Sequence, residues 1–331
     1  MGIPKTPFVQ IPQEASARFN RRALIRLLAF SCALFSVLHA ASIRADEVSS
    51  APVAVLYTLN RPFVEAVEGL SRVIKTAGGK TEAFALEDYP EKRRSILKEK
   101  MTQQPFGFYV GVGPQAARFI WDELDPVKAR PIYSMVLNPE KVLSLTGNEC
   151  GVSLNIPIST QVERISAGLP GAKRIGLLFD PLNNDPFFIQ AGKIAEGSDL
   201  RIIPLRVTSS REIPTVLETR LKDIDALWLI TDSTVTISES IIQFIIETAL
   251  LNRVPVIGYN SFFYESGAAL SFVFDYQELG EQTGELITEL FDTGVCSSPD
   301  PKFSLWVNRK TIQRLDILLG EEAVMGDGAA P

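Results

Sequence analysis

The stretch ALWLITDSTVTISESIIQFIIETALL, residues 226–251, indicates the fold class. Its first five residues are apolar and favour a buried β-strand, and a polar turn follows at residues 231–234. Beyond the turn, Ile237, Ile241 and Ile245 recur at helical spacing, which predicts an amphipathic helix over residues 235–251. A buried strand that leads through a polar turn into a helix is typical of α/β proteins.

The same alternation extends along most of the chain. In the first half, we predict strands at residues 53–59, 81–86, 106–112 and 131–137, with helices at 62–76, 91–103 and 114–124. In the second half, we predict strands at residues 174–179, 201–207, 226–230 and 255–259, with helices at 186–196, 212–221 and 235–251. Nearly continuous apolar strands between helices indicate parallel sheets that are covered on both faces. Two such runs predict two doubly wound parallel-sheet lobes.

The two lobes are expected to interleave along the chain through a multi-segment hinge. A segment around residues 147–155 separates them, and a helix at about residues 276–291 is expected to cross back to the first lobe. We therefore predict lobe 1 at residues 52–150 plus about 276–300, and lobe 2 at residues 151–275 plus about 301–318. Residues 319–331 form a predicted tail that frays.

The first 45 residues have the pattern of a removable export signal. An apolar run at residues 27–41 follows basic residues and precedes small ones. This run of about 15 residues is shorter than the roughly 20 that span a bilayer, and an uncleaved anchor is the alternative. Arg21 and Arg22 fit a twin-arginine signal as well as the basic start of a general secretory signal. We expect a periplasmic protein, exported by one of these two routes.

Charge and composition exclude several classes of function. Removal of residues 1–45 leaves 27 basic against 38 acidic side chains without a basic stripe, which argues against nucleic-acid binding. The only histidine, His39, lies in the predicted signal, so histidine triads and histidine metal sites are excluded. No nucleophile elbow, Walker loop or metal-spaced carboxylate cluster is present. We therefore expect no enzyme, no cofactor and no metal ion, with carboxylate chemistry as the remaining enzymatic alternative.

Two cysteines, Cys150 and Cys296, remain after the predicted signal. An oxidising compartment would allow them to form one disulfide. The alternative is a pair of buried free thiols, because the sequence cannot tell whether the two residues lie close together.

A glycine-rich turn follows the predicted strand at residues 106–112. Gly111, Gly113 and Ala116 match a dinucleotide-binding pattern, but the turn follows the third strand instead of the first, and the match is weak. A tight turn with Pro114 at the first helical position explains the residues better. The N–H groups of such a helix start, with Gln115 in its first turn, favour an anionic group of a ligand.

Polar residues also follow several other predicted strands, at the sheet edge where open α/β sheets bind ligands. Asp232 is either a helix N-cap or an acceptor for a ligand ammonium or hydroxyl group. Asp275 is either a hinge cap or a cleft carboxylate. The full set of predicted ligand-binding residues is Thr58, Asn60, Gly113, Pro114, Gln115, Asn138, Asn183, Asn184, Asp232, Tyr259, Asn260 and Asp275.

Several stretches carry a resemblance through their order and spacing. They are CGVS at residues 150–153, GLPGAKRIG at 168–176, TDSTV at 231–235, VPVIG at 254–258, DYQELG at 275–280 and NRKTI at 308–312. Together they are similar to the ABC transporter substrate-binding proteins that include tryptophan-binding members. The resemblance covers residues 52 to about 318. In that family, threonine often stands where Pro114 and Cys150 stand here, and aspartate often stands where Asn138 stands.

The resemblance implies a type I periplasmic-binding fold, in which two lobes close on a small organic ligand. An amino-acid-like or aromatic compound is the ligand class that it suggests. It also implies delivery of the ligand to an ABC permease in the membrane, and we expect a monomer. Some binding proteins of this shape serve sensors, so a ligand-sensing accessory to a membrane signalling protein is the alternative.

Overall fold

The computed structural model describes residues 51–147 and 149–320. The predicted signal at residues 1–45 and most of the predicted tail lie outside these ranges.

The first β-sheet consists of strands that are largely buried on both faces. The strands are β1 (Val53–Tyr57), β2 (Thr81–Ala85), β3 (Phe108–Val112), β4 (Pro131–Val136) and β5 (Cys150–Ser153). They pair in parallel in the order β2-β1-β3-β4-β5.

Helices cover both faces of this sheet because successive strand residues point to opposite sides. The helices are α1 (Arg61–Thr76), α2 (Arg94–Gln103), α3 (Pro114–Glu123), α4 (Pro126–Ala129) and α5 (Pro139–Val142). Val53 and Val55 belong to the core on the α1 side. Ala54 and Leu56 belong to the core on the side of α2 and α3.

The second sheet is separate and larger. Its strands are β6 (Arg174–Phe179), β7 (Arg201–Arg206), β8 (Ala226–Leu229), β9 (Val256–Gly258), β10 (Leu270–Val273) and β11 (Ser304–Val307). They follow the order β11-β10-β9-β8-β6-β7. All described pairs of this sheet are parallel except β10 with β11, which is antiparallel. The predicted pair of doubly wound, mainly parallel sheets is confirmed.

The remaining helices are α6 (Ile158–Gly168), α7 (Pro181–Ala195), α8 (Ile213–Arg220), α9 (Glu239–Leu251), α10 (Ser261–Glu265), α11 (Tyr276–Thr293) and α12 (Arg309–Leu315). Leu177 and Trp228 share one core of the second sheet with residues of α6, α7 and α12. Leu178 and Leu227 share the opposite core with α8, α9 and α10. None of the described helices is both long and apolar enough to cross a membrane.

One helix starts later than predicted, and a short turn precedes another. The helix predicted over residues 235–251 begins at Glu239, and Ser238 caps it by accepting the N–H of Ile241 at 3.4 Å. Asp232 therefore does not cap this helix. The helix predicted over residues 186–196 is preceded by a short turn that starts at Pro181 after the cap Asp180, and the backbone is kinked between the two at Asn184, where φ is −133° and ψ is 18°.

Two short segments connect the two sheets. The chain leaves β5 at Ser153 and, after only four residues, enters α6, which packs on the second sheet. It returns from β10 to α11 through Phe274 and Asp275, and Phe274 packs against the core of each sheet. These two crossings leave from carboxyl ends of strands, so the carboxyl edges of both sheets adjoin the connections between them.

Helix α11 returns the chain to the first sheet, where it packs closely on α1. A Cβ atom on Gly280 would overlap the carbonyl group of Ala66, and one on Gly69 would overlap the carbonyl group of Gln277. Gly280 and Gly284 thus permit the close packing of α11 on α1.

The segment that follows α11, residues 294–303, is tied to the first sheet. Cys296 forms a disulfide with Cys150 of β5, with Cα atoms 5.6 Å apart, which decides between the two alternatives for these cysteines. Ser298 Oγ accepts the N–H of Gly151 at 3.2 Å and lies 3.1 Å from the hydroxyl of Tyr133. This crossing segment is thereby held at the β5 edge of the first sheet.

Candidate functional site

The loop after β1 places two predicted ligand residues at the facing edge of the first sheet. Thr58 is largely buried, and its carbonyl accepts the N–H of Asn60 at 2.7 Å in a tight turn. Asn60 stands at the N-cap position of α1, but its side chain makes no capping hydrogen bond. Its exposed amide group therefore remains able to donate to and accept from a ligand.

The loop after β3 is shaped by close packing. Gly113 has a φ of 85°, and a Cβ atom there would stand 2.7 Å from Cζ of the Phe63 ring. Only glycine suits such a position without strain. Pro114 occupies the first helical position of α3, as predicted, and Gln115 is exposed in the first turn. The first-turn N–H groups lack carbonyl partners within the helix, so they can bind an acceptor.

Asn138 follows β4 and has a role that the sequence did not reveal. Its backbone is left-handed, with a φ of 48°, and its N–H donates to Oδ1 of Asn155 at 3.0 Å. Asn155 lies in the first crossing segment, so this hydrogen bond joins the end of β4 to the connection between the sheets. The side chain of Asn138 does not cap α5.

The carboxylate of Asp232, after β8, is fully occupied by donors of the protein. Oδ1 accepts the N–H groups of Thr234 at 2.8 Å and Val235 at 3.1 Å. Oδ2 accepts the N–H of Asp180 at 2.9 Å and the amide of Asn184 at 2.7 Å. A carboxylate offers about four acceptor positions, and all of them are used here. Contact between Asp232 and a ligand stays a prediction, and it requires the ligand to displace one of these donors.

A second buried carboxylate, Asp180, stands directly after β6. It caps α7 by accepting the N–H of Leu182 at 2.9 Å, and its other oxygen accepts the hydroxyl of Thr234 at 2.7 Å. Asp180 and Thr234 were not among the predicted site residues. An aspartate before Pro181 does signal a helix cap, but its contact with a threonine 54 residues away has no counterpart in the sequence.

The two asparagines after β6 lie against the loop after β8, as neighbouring strand ends allow. The Asn183 amide is 3.1 Å from the hydroxyl of Ser233, and the Asn184 amide also donates to the carbonyl of Thr231 at 3.2 Å. Asn183 is exposed, whereas Asn184 is half-buried. The structure therefore brings Asn183, Asn184 and Asp232 into one cluster, although Asp232 follows the two asparagines by about 50 residues along the chain.

Tyr259 joins the same cluster from the end of β9. Its hydroxyl donates to Oγ1 of Thr236 at 3.1 Å. Burial raises the pKa of this phenol, and the nearby carboxylate of Asp232 raises it further. Hydrogen bonds with Thr236 and Thr231 partly offset this increase. Tyr259 is therefore a neutral hydrogen-bonding group at ordinary pH, beside the aromatic ring of Phe263.

The last two predicted site residues cap helices. Asn260 Oδ1 accepts the N–H of Phe263 at the start of α10, at 3.2 Å. Asp275 Oδ1 accepts the N–H of Glu278 at the start of α11, at 3.0 Å. Of the two alternatives for Asp275, the observed hydrogen bond is that of a hinge cap, and the side chain is also exposed to solvent.

The strand-end loops thus offer uncharged hydrogen-bonding groups from both sheets, while the two buried carboxylates are already bonded. Within residues 51–147 and 149–320, no group of three or more histidine, cysteine, aspartate or glutamate side chains could hold a metal ion. The arrangement can bind a neutral or zwitterionic small molecule through amide groups, backbone N–H groups and a phenol.

Solved structures share this architecture. The tryptophan complex of an ABC domain from Streptococcus pneumonia has a TM-score of 0.57 and 20% identity, and the match covers 84% of this chain and 99% of that one. A ligand-free, open substrate-binding protein with adhesive properties from Clostridium difficile has a TM-score of 0.67 and 17% identity, over 81% of this chain and 95% of that one. At these identities the similarity shows the fold, which is of the type I periplasmic-binding kind.

Sequence comparisons go further than the fold. The tyrosine-binding protein of Clostridioides difficile is 26% identical over 200 residues, which covers 58% of this chain and 55% of that protein. The match thus spans about half the length of that curated relative. Residues 137–327, more than half of the chain, match the family model described as ABC transporter substrate binding protein. This chain therefore belongs to the family of ABC transporter substrate-binding proteins.

Proposed function

We propose that this protein binds a small organic molecule between its two sheets, without catalysis, and delivers it to an ABC permease. The observation that carries the proposal is the presence of two separate α/β sheets joined by short crossings that leave from their carboxyl edges, with uncharged polar loops on both edges. Ligand binding at facing strand ends is the rule for open α/β sheets. Closure about a few crossing residues would then enclose the ligand.

The lobes in this proposal divide at the crossing segments. Lobe 1 comprises residues 52–153 and 276–302, and lobe 2 comprises residues 154–275 and 303–318. This division moves the first boundary from residue 150 to the end of β5, because β5 pairs with β4 of the first sheet. We take the protein to act as a monomer.

The ligand in this proposal is an amino acid with an aromatic or large apolar side chain. Two relatives support this class, since one is called a tyrosine-binding protein and the other was solved with L-tryptophan. The exposed amides of Asn60 and Asn183, together with the first turn of α3, supply partners for an ammonium and a carboxylate group.

Export to the periplasm is also part of the proposal. The disulfide between Cys150 and Cys296 supports it, because structural disulfides persist in oxidising compartments and are rare in the cytosol. The test is fractionation of cells that express the full chain or a form lacking residues 1–45. Release of the full chain by osmotic shock, with a shortened N-terminus, is expected. Retention of both forms in the cytoplasm would contradict export.

Binding is tested by thermal unfolding of protein that has been unfolded and refolded to remove any ligand. Each amino acid is added singly, and L-tyrosine and L-tryptophan are expected to stabilise the protein. A ligand at about one hundred times its Kd adds about 2.7 kcal/mol to the free energy of unfolding. Asn60→Ala and Asn183→Ala should weaken this effect. The matched control is Asn252→Ala, whose side chain bonds to Thr248 at the far end of α9. No stabilisation by any amino acid would contradict the ligand class.

A further inference from the structure

Three large apolar side chains are exposed in the same loops that carry the polar site residues. Leu59 follows β1 in the first sheet and is 58% exposed. Leu182 follows β6 and Ile237 follows β8 in the second sheet, and they are 90% and 62% exposed. Single exposed apolar residues are common on protein surfaces. These three differ because all of them follow carboxyl ends of strands, at the edges from which the crossings between the sheets leave.

Each of the three side chains stands on a backbone that is fixed by its neighbours. Leu59 lies within the turn that the carbonyl of Thr58 closes with the N–H of Asn60. The N–H of Leu182 donates to the buried carboxylate of Asp180 at 2.9 Å. Ile237 directly precedes Ser238, the cap of α9. The apolar side chains are therefore presented at defined positions, and they remain largely exposed to solvent.

The loops that carry these apolar side chains also carry polar groups, some of which hold the loops together. Asp180 and Asp232 use their carboxylates to hold the loops together, as described above. The loops therefore supply two kinds of surface: uncharged polar groups such as Asn183, and apolar side chains that gain from leaving water. A ligand that matches both kinds needs a polar head and an apolar body.

We propose that Leu59, Leu182 and Ile237 form an apolar clamp that contacts the apolar body of the bound ligand from both lobes. The clamp selects ligands with a large apolar part over sugars and small polar amino acids. This inference rests on the proposed function, since it assigns a specificity role within the same site. The clamp adds three apolar residues to a site that has so far been described only by its polar residues.

The test compares Leu59→Ser, Leu182→Ser and Ile237→Ser with two matched controls. Leu251→Ser and Leu318→Ser change leucines that are 77% and 74% exposed but lie at the end of α9 and after α12. Calorimetric titration with L-tryptophan and L-tyrosine should show about tenfold weaker binding for each clamp variant, which is about 1.4 kcal/mol. The heat-capacity change of binding should become less negative, a sign of lost apolar burial. The control variants should bind like the parent.

A second probe separates this inference from the choice of ligand. The fluorescent apolar dye bis-ANS is titrated into the ligand-free protein, and the clamp variants should bind less dye than the two controls. Reduced dye binding without any binding of amino acids would support the clamp and contradict the amino-acid ligand. Unchanged tryptophan or tyrosine affinity in all three clamp variants would overturn the clamp and leave the proposed function intact. Equal dye binding by clamp and control variants would also overturn it.

Discussion

The amide of Asn184 donates a 2.7 Å hydrogen bond to Oδ2 of Asp232, which connects the loop after β6 with the loop after β8. Asp232 is almost completely buried and accepts three further hydrogen bonds from backbone N–H groups. The two loops thus behave as one structural unit at the edge of the second sheet. The shape of this candidate ligand-binding surface depends on a carboxylate whose acceptor positions are already used.

Replacement of Asp232 by alanine should therefore reduce stability strongly. Four donors lose their acceptor, and buried unpaired donors cost about 1–3 kcal/mol each unless water reaches them. We expect a loss of about 2–4 kcal/mol in the free energy of unfolding, measured by urea denaturation. The matched control is Asp199→Ala, because Asp199 is an exposed aspartate that forms an exposed ion pair with Lys173 at 3.4 Å. Its cost should stay within about 0.5 kcal/mol. Equal losses for both variants would show that Asp232 does not hold the loops.

The strands that could be predicted from the sequence are those with continuous apolar runs. Strand β6 was predicted with its observed bounds, residues 174–179, because five of its six residues are buried. By contrast, β5 was missed, since CGVS is short and lacks such a run. Helix α6 was missed as well. Its sequence, ISTQVERISAG, contains many β-branched and small residues that favour helices weakly.

The site could be predicted only at the level of its location. The rule that ligands bind at the carboxyl ends of strands selected Asn183, Asn184 and Asp232, which lie together in the structure, and their contact with a ligand stays a prediction. Their partners could not be deduced, because the hydrogen bonds join residues about 50 positions apart and depend on how the loops fold back. The same reason applies to the disulfide, whose cysteines are separated by 146 positions.

A second prediction concerns the turn after β3. Gly113→Ala combines an unfavourable left-handed backbone with an overlap between the new Cβ and the ring of Phe63. Gly78→Ala is the matched control, because Gly78 has nearly the same φ, 84°, but no atom within 4 Å of the new Cβ. We expect a loss of about 1 kcal/mol for Gly78→Ala, and of about 2–4 kcal/mol for Gly113→Ala. Chemical denaturation measures both. Equal losses would show that the Phe63 contact is unimportant.

A third prediction concerns the disulfide. Reduction should lower stability by about 3–5 kcal/mol, because the bond closes a loop of 146 positions in the unfolded chain. The measurement is the midpoint of urea denaturation with and without a phosphine reductant, with thiol counting to prove reduction. The Cys150→Ala/Cys296→Ala variant is the control and should not respond to the reductant. An unchanged midpoint in fully reduced protein would contradict a stabilising role.

The last prediction concerns alkaline pH and Tyr259. Burial, the main cause, raises the pKa of this phenol in the folded protein above its value of about 10 in the unfolded chain. Its contribution to stability is therefore complete below pH 10 and is lost as the pH rises towards the folded-state pKa. We expect the free energy of unfolding to fall less steeply above pH 10 in Tyr259→Phe than in the parent. Burial also raises the pKa values of Tyr109 and Tyr276, so part of the fall in the free energy of unfolding should remain in the variant.

Urea denaturation from pH 7 to pH 11 measures the two slopes. The difference between the two proteins at pH 7 gives the cost of the lost hydrogen bond to Thr236. Parallel curves above pH 10 would show that Tyr259 is not buried enough to resist ionisation.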